Sequence, residues 1–545
     1  MNFAIWFSWP AWWWVNTAWL MLANLLAKKW YNILVDKEYA SVIKWDNNFI
    51  AVYFSRDNSF FISKKLDYFI CFDDYSITKN EKVYELWYEP GNIINLKDKP
   101  WKYKNIPAFW YAIKLLWIDL EEWEGIVKQE FAWKPSLEDN LRILKEWYDL
   151  CENKEIGALP NIWDPKVMYY GNEIIWKWAI ASWLWRYSAY PMTPASSIID
   201  VVTGEMSKWN VKNEITFFQW EDEIAVAMSM LWAKFAWKRA MCGTSGGGFA
   251  LMTESISFSN QAEIGWVYVL SQRDGPSTWT PTFTWQWDID YALNASFWET
   301  FPIVVAPDTY ENWYNLIWKT LNWSDKYQHP IIYLVDKQFS ESYISIDPNK
   351  LQAEPILPAE NVDLSNNDYK RYADTPNGIS PYVVPWTVNW EFIATSYEHG
   401  EYGESSEDPE IKSQMMAKRS RKMKTFIETE FNDNFYGYEI INPNAEKFYV
   451  TFGFNRYVLE DLIKNDTNTW LIIITVFQPL DPRLKKRFTE HENQIKNLTF
   501  VEMNESWSLE RLIKNECNLK SQDRENKITH IRKFNLYPFF KEDLN

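Results

Sequence analysis

The sequence predicts an α/β protein of several domains built on parallel sheets. Three observations carry that expectation. Short apolar segments at Arg239–Cys242, Trp266–Ser271, Ile303–Ala306 and Ile331–Asp336 alternate with helical stretches, the pattern of a sheet covered on both faces. Clusters rich in Gly, Pro, Thr and acidic residues follow such segments and precede helices, as do the strand-end loops where open α/β sheets bind ligands. The 545 residues are also several times the roughly 100–200 residues of one domain.

In chain order, Phe3–Phe7 reads as a strand and Ser8–Trp14 as a loop. A helix follows with Val15, Ala18, Leu22, Leu25 and Leu26 on one face. Met1–Ala27 carries no charged residue, which raises the alternative of a membrane span. Pro10 interrupts that run, Asn16, Thr17 and Asn24 dilute it, and no positive region precedes it as in a signal peptide. The soluble reading is preferred. Strands at Asn32–Val35 and Tyr68–Phe72 continue the α/β pattern to about Asp98, and a charged helical stretch covers Ile106–Cys151. A polar linker at Asn153–Asp164 leads into the central domain. Pro348–Lys424 is polar and Pro-rich, and its basic run Lys418–Lys424 reads as a solvated helix face. The last domain has strands at Phe448–Phe452, Leu471–Val476 and Thr499–Met503. The expected boundaries are 1–155, 165–345, 346–440 and 441–545.

A net charge of −17 argues against a nucleic-acid or anionic-membrane surface. The cysteines, Cys71, Cys151, Cys242 and Cys517, are scattered without a C-x-x-C pair. That excludes a zinc ribbon or an iron–sulfur cluster held by this chain alone, and does not describe a disulfide scaffold. A reducing cytoplasm fits best.

Four clusters stand out between Tyr187 and Asp290: Tyr190-Pro191-Met192-Thr193-Pro194-Ala195-Ser196, Glu221-Asp222-Glu223, Thr244-Ser245-Gly246-Gly247-Gly248-Phe249, and Gln272-Arg273-Asp274-Gly275-Pro276-Ser277-Thr278. Their placement predicts convergence on one pocket. Taken singly each has a plain explanation. The acidic triplet suits a helix start, an isolated Arg after a strand is usually a surface ion pair, Thr193 lies in a turn stiffened by Pro191 and Pro194, and His399 is a loop histidine.

Together, the order and wording of these clusters resemble the alpha subunit of the 2-oxoacid:ferredoxin oxidoreductases, most closely the 2-oxoglutarate type with its gamma domain fused in front. The resemblance runs from the loop at Trp9 to Val501-Glu502-Met503-Asn504, and includes Asn377–Pro381 and Tyr397–Tyr402. It implies a Rossmann-like gamma domain, a thiamine diphosphate enzyme domain of the pyrimidine-binding type, and a transketolase C-terminal-like domain. The implied reaction converts a 2-oxo acid, coenzyme A and oxidised ferredoxin to acyl-CoA, CO2 and reduced ferredoxin. Pyruvate or a branched-chain acid is the alternative substrate, and an inactive scaffolding paralogue or a membrane-anchored, aromatic-rich binding protein the alternative function.

The resemblance places Glu221 where the family's carboxyl group meets the cofactor's aminopyrimidine ring, Arg273 at the substrate carboxylate, and Thr193 at the substrate. Tyr190, Pro191, Ser245 and Gly246 fall at the cofactor-binding wall. Glu221 is expected in an apolar pocket that raises its pKa. The family's diphosphate motif and cluster cysteines do not appear in this chain. Thiamine diphosphate is therefore expected to be shared with a beta subunit that carries Mg²⁺ and a [4Fe–4S] cluster. The partners implied are that subunit, ferredoxin, the 2-oxo acid and coenzyme A, with no nucleic acid and no membrane. Gly247, Asp274 and Phe454 depart from the family pattern, which bears on coenzyme and substrate preference rather than reaction class.

Composition holds one anomaly: 36 Trp against 16 Gly, where ordinary chains carry about 7% Gly. Trp stands at many family glycines, among them Trp9, Trp12–Trp14, Trp176, Trp178, Trp220, Trp279, Trp285 and Trp287. Gly alone readily takes φ > 0 or lets backbone approach closely, and bulky replacements at so many such sites are not a plausible course of evolution. The expectation is that the source organism reads UGA as glycine and that many of these tryptophans are misread codons. Trp323 is expected to be genuine.

Overall fold

The computed structural model describes the chain except residues 1, 11–15, 30, 40–45, 57–59, 82–84, 99–119, 133–134, 136, 151–165, 209–214, 279, 298, 300, 352–354, 358–367, 388–389, 443–446, 491–496, 520–527 and 545. The Trp12–Trp14 loop, Trp279, Cys151 and the 153–164 linker thus lie outside the described residues. The described residues form three sheets, of seven, seven and five strands.

The first sheet is mixed. Asn2–Pro10 runs antiparallel to Asn47–Ser55 and parallel to Tyr68–Cys71. Phe3, Ile5, Phe7 and Trp9 enter one apolar cluster and Ala4 and Trp6 another, so the strand is apolar on both faces because both faces are covered. The apolar run that raised a membrane span is split between this strand and the helix Asn16–Lys28. No described helix is long and apolar enough to cross a membrane.

Two strands at the two ends of the expected central domain complete this first sheet instead. Tyr343–Ile346 pairs with Asn32–Glu38 and with Val167–Tyr170. The polar linker at 153–164 therefore does not mark a change of sheet, and the amino-terminal and central regions are stitched together by backbone hydrogen bonds.

The central sheet has the order Val476–Gln478, Ile303–Val305, Ile331–Asp336, Val267–Gln272, Ala240–Thr244, Arg186–Ala189, Thr216–Gln219. It is parallel except for Val476–Gln478, a loan from the carboxy-terminal region. That region's own sheet is centred on Lys447–Thr451, between Thr469–Ile474 and Asn497–Glu502.

The segment after Pro348 docks on the central domain through the helix Pro409–Glu430. Here the sequence expectation fails: Lys418, Arg419 and Lys422 are buried, not solvated. Lys418 and Lys422 lie 2.6 and 2.5 Å from the two oxygens of fully buried Glu263, and Arg419 grips Glu398. The charge run alone could not show this, because its counter-ion sits more than a hundred residues earlier. Burial pushes the Glu263 carboxyl up, but Lys418, Lys422 and Arg371 outweigh it and hold the group well below the usual carboxylate range. The stabilisation is thus present above the unfolded pKa of about 4.3 and is lost only in acid below it. Glu263→Gln is expected to cost about 3–5 kcal/mol by stranding buried ammonium groups, read as a drop in the denaturant midpoint at neutral pH. A loss under 1 kcal/mol would contradict the clamp.

Candidate active site

Adjacent parallel strands Arg186–Ala189 and Ala240–Thr244 send the chain to opposite faces of the central sheet. The helix Ser197–Lys208 places Ile198 and Val202 in one core, and Gly246–Gln261 places Phe249 and Met252 in the other. The sheet therefore opens a crevice between the two strand ends, the place where such sheets bind ligands. All four clusters singled out in the sequence lie at the ends of these strands and their neighbours.

Arg273 and Thr193 meet there. Arg273 is buried and donates from Nη1 to the Thr193 carbonyl at 2.6 Å. Burial lowers its pKa, while Asp288 and Tyr39 act to raise it. The Thr244 hydroxyl lies 4.0 Å from Met192 Sδ, so the third cluster touches the first. Tyr190 and Pro191 stand at the exposed rim. Ser245 caps the following helix by position but makes no side-chain capping bond, and its buried hydroxyl has no partner.

The second cluster corrects the sequence reading. Glu221 is exposed, outside any apolar pocket. Asp222 is the N-cap, its Oδ1 accepting from Ala225 N–H at 2.7 Å, and this fixes the helix as Glu223–Phe235. Glu223, its first residue, turns inward and is only 4% exposed. Its Oε1 is buried without a partner, and burial raises its pKa. A Cβ at Gly248 would fall 2.6 Å from that oxygen and 2.3 Å from Thr244 Oγ1, so only glycine lets the two helix starts close on the carboxyl group. The signal was legible: Val226, Ala227, Met230 and Leu231 are buried, and stepping back three or four residues from them reaches Glu223 rather than Glu221.

Other residues of the site were missed. Asp288 is buried, with Oδ2 unpartnered, and lies against the same helix start, 3.2 Å from where a Cβ at Gly246 would be. Thr280, Thr282 and Thr284 carry buried hydroxyls without partners on the loop between Arg273 and Asp288. Burial raises the Asp274 carboxyl to about 6.

Both flanking regions hold this site. Tyr39, just past the Asn32–Glu38 strand of the first sheet, donates to Glu341 at 2.7 Å. Beside it Asp36 and Glu38 are pushed up to about 6 and about 8 by burial, with Lys337 pulling both down. From the carboxy-terminal region, Asn455 and Asn504 bond Gln286 at 2.8 and 2.9 Å. A Cβ at Gly453 would fall 2.7 Å from Asp336 Oδ2, while Phe454 donates its N–H to the same oxygen. His399 lies elsewhere, its ring nitrogens 3.2 and 3.1 Å from the Gly400 and Gln261 carbonyls. It ties the 368–430 segment to the central domain, as a structural histidine would.

Residues 181–418, which contain all four clusters, match the family described as pyruvate flavodoxin/ferredoxin oxidoreductase, thiamine diphosphate-binding. The chain is similar to the alpha subunits of 2-oxoacid:ferredoxin oxidoreductases. It is 31% identical over 371 residues to subunit alpha of 2-oxoacid:ferredoxin oxidoreductase 2 from Aeropyrum pernix, covering 64% of this chain and 56% of that one. The 2-oxoglutarate synthase subunit KorA of Methanocaldococcus jannaschii is 25% identical over 328 residues, 58% of this chain and 84% of its own. The chain thus spans little more than half of the Aeropyrum relative. In fold it is similar to a 2-oxoglutarate:ferredoxin oxidoreductase from Magnetococcus marinus solved with 2-oxoglutarate, coenzyme A and succinyl-CoA bound. That likeness has a TM-score of 0.86 at 22% identity and covers 100% of this chain and 98% of the other.

Proposed function

We propose that this chain is the alpha subunit, with a fused amino-terminal gamma domain, of an enzyme that oxidatively decarboxylates a 2-oxo acid, 2-oxoglutarate in the first instance, to an acyl-CoA. Ferredoxin takes the electrons, and a beta subunit holds the cofactor's diphosphate, Mg²⁺ and the [4Fe–4S] cluster. The observation that carries the reading is the unpartnered, buried Glu223 oxygen beside the Arg273–Thr193 contact. An orphaned carboxyl oxygen at a helix start costs free energy unless a ligand satisfies it, and it fits the ring nitrogen of an aminopyrimidine. Thiamine diphosphate seated there would supply the carbanion and electron-sink chemistry that the side chains of this chain lack. The residues of this chain do the rest. Glu223 holds the ring and its proton, the remaining guanidinium N–H groups of Arg273 take the substrate carboxylate, and the Thr193 turn fixes Arg273 in place. The gamma domain is the candidate site for coenzyme A, and a reducing cytoplasm the compartment.

The partner's docking face continues from the site. On the helix that begins at Glu223, Ile224 and Met228 are 49% and 44% exposed, one turn apart, and Leu251 on the neighbouring helix is 51% exposed. A subunit carrying the diphosphate end of the cofactor would cover this apolar stripe as it closes the crevice. The test is co-expression with such a subunit, followed by ferredoxin reduction with 2-oxoglutarate, pyruvate and a branched-chain 2-oxo acid. Met228→Glu is expected to abolish co-purification and turnover together while the chain stays folded. An active complex that tolerates the charge would refute the docking face, and a complex inactive on every 2-oxo acid would refute the function.

A further inference from the structure

Asp288 is the least explained group of the site. It sits just before the short helix Ile289–Leu293 and is 3% exposed. Its backbone N–H donates to Gln272 Oε1 at 3.1 Å, which pins the chain at the end of the Val267–Gln272 strand. Its Oδ1 faces Gly246 in the first turn of the sixteen-residue helix Gly246–Gln261, and its Oδ2 has no partner. Arg273 and Asp288 act on each other's charge, yet they form no ion pair within 4.0 Å. A buried acid with an unpartnered oxygen and a buried guanidinium thus bear on each other's charge without pairing, beside a helix start that has no side-chain cap.

Resting on the functional reading above, we propose that Asp288 contacts the carboxyl end of the 2-oxo acid: as the substrate carboxylate binds Arg273, Asp288 takes up a proton from solvent and donates a hydrogen bond to the bound acid. Ionised, it would repel that carboxylate at short range in a water-poor site. Burial already pushes the Asp288 carboxyl to about 7, with Arg273 pulling it down, so the proton is available near neutrality. A substrate anion raises the group further, and affinity falls as pH rises through its pKa.

Other charged groups bear on it. Glu223 faces Gly248, two residues further along the same turn, and Asp274 neighbours Arg273 with its own raised pKa of about 6. Tyr291 is raised and stays neutral. Asp290 is engaged with Arg511 and Ser508, and Tyr39 with Glu341.

The assembled enzyme tests this through KM for its 2-oxo acid between pH 6 and 9. Wild type should show KM rising by up to about tenfold per pH unit above neutrality. Asp288→Asn, a permanently neutral donor, should keep the low-pH KM and flatten the profile. Calorimetry of wild type in buffers of different protonation enthalpy should report proton uptake on 2-oxoglutarate binding, and it decides the matter if the variant fails to assemble. A variant with the wild-type slope, or wild-type binding without proton uptake, overturns the role of Asp288 while leaving the function intact. Absence of turnover with any 2-oxo acid overturns both.

Discussion

Glu223→Gln is expected to lose about 10²–10⁴-fold in turnover, the range carried by a positioned acid–base group, while the complex still assembles. The amide keeps the shape of the buried side chain but cannot exchange the proton. Glu221→Gln, two residues away on the exposed side of the Asp222 cap, should change turnover less than twofold. The pair separates a catalytic carboxyl group from an acidic helix start, because both variants remove one negative charge from the same few ångströms of chain. Equal losses in the two variants would mean that charge at the helix start, not the buried carboxyl group, matters. Near wild-type turnover in Glu223→Gln would remove the residue from the mechanism.

Trp183→Gly and Trp386→Gly should raise stability, although each deletes a ring. Both residues hold a left-handed backbone, with φ of 64° and 70°, and both rings are exposed, at 68% and 78%, so little packing is lost. Trp183 ends the Gly171–Ala181 helix with Leu184 N–H bonded to Ala179 O and Trp183 N–H to Ile180 O. That is the double-bonded terminus at which glycine is the usual residue. Trp237 holds the same place after Phe235, with φ of 58°. Trp386 follows Pro385 as the third residue of a turn closed from Thr387 N–H to Val384 O, where positive φ again asks for glycine.

The left-handed penalty for a residue with a Cβ is roughly 1–2 kcal/mol, and the greater freedom of unfolded glycine takes back about 0.4–1 kcal/mol. A net gain of about 0.5–1 kcal/mol per site remains, measurable in denaturant melts. Trp323→Gly is the contrast. Its indole N–H donates to Glu430 at 2.7 Å and its ring packs edge-on against Phe426 and Phe435, so removal should cost about 3–5 kcal/mol. Trp9, Trp176 and Trp313 are unlike both, being buried with unpartnered indole N–H groups. Trp220 donates to Ser229 at 3.0 Å. The expectation that UGA is read as glycine adds a direct check on the gene. Trp183, Trp237 and Trp386 should be encoded by UGA, and Trp323 by UGG. A UGG codon at 183 or 386, or lower stability in both glycine variants, would end the idea.

What the sequence determined by itself was the local grammar. Alternating apolar strands and helices fixed the parallel central sheet, since a strand buried on both faces must be apolar along its length. The positions of Thr193, Ser245–Gly248 and Arg273 at strand ends followed from the same alternation, and the structure brings these loops together. What only the tertiary structure decided depends on partners distant in the chain. The basic run at Lys418–Lys422 became a buried clamp because Glu263 faces it, and a charge pattern cannot announce its counter-ion. Tyr343–Ile346 joined the amino-terminal sheet by pairing with Asn32–Glu38, and Val167–Tyr170 then paired along its free side to form the sheet edge. The choice of Glu223 over Glu221 hung on one hydrogen bond from Ala225 N–H to Asp222. That bond sets the phase of the helix, and helix phase, not sequence neighbourhood, decides which of two nearby carboxylates is turned into the protein and which is left in water.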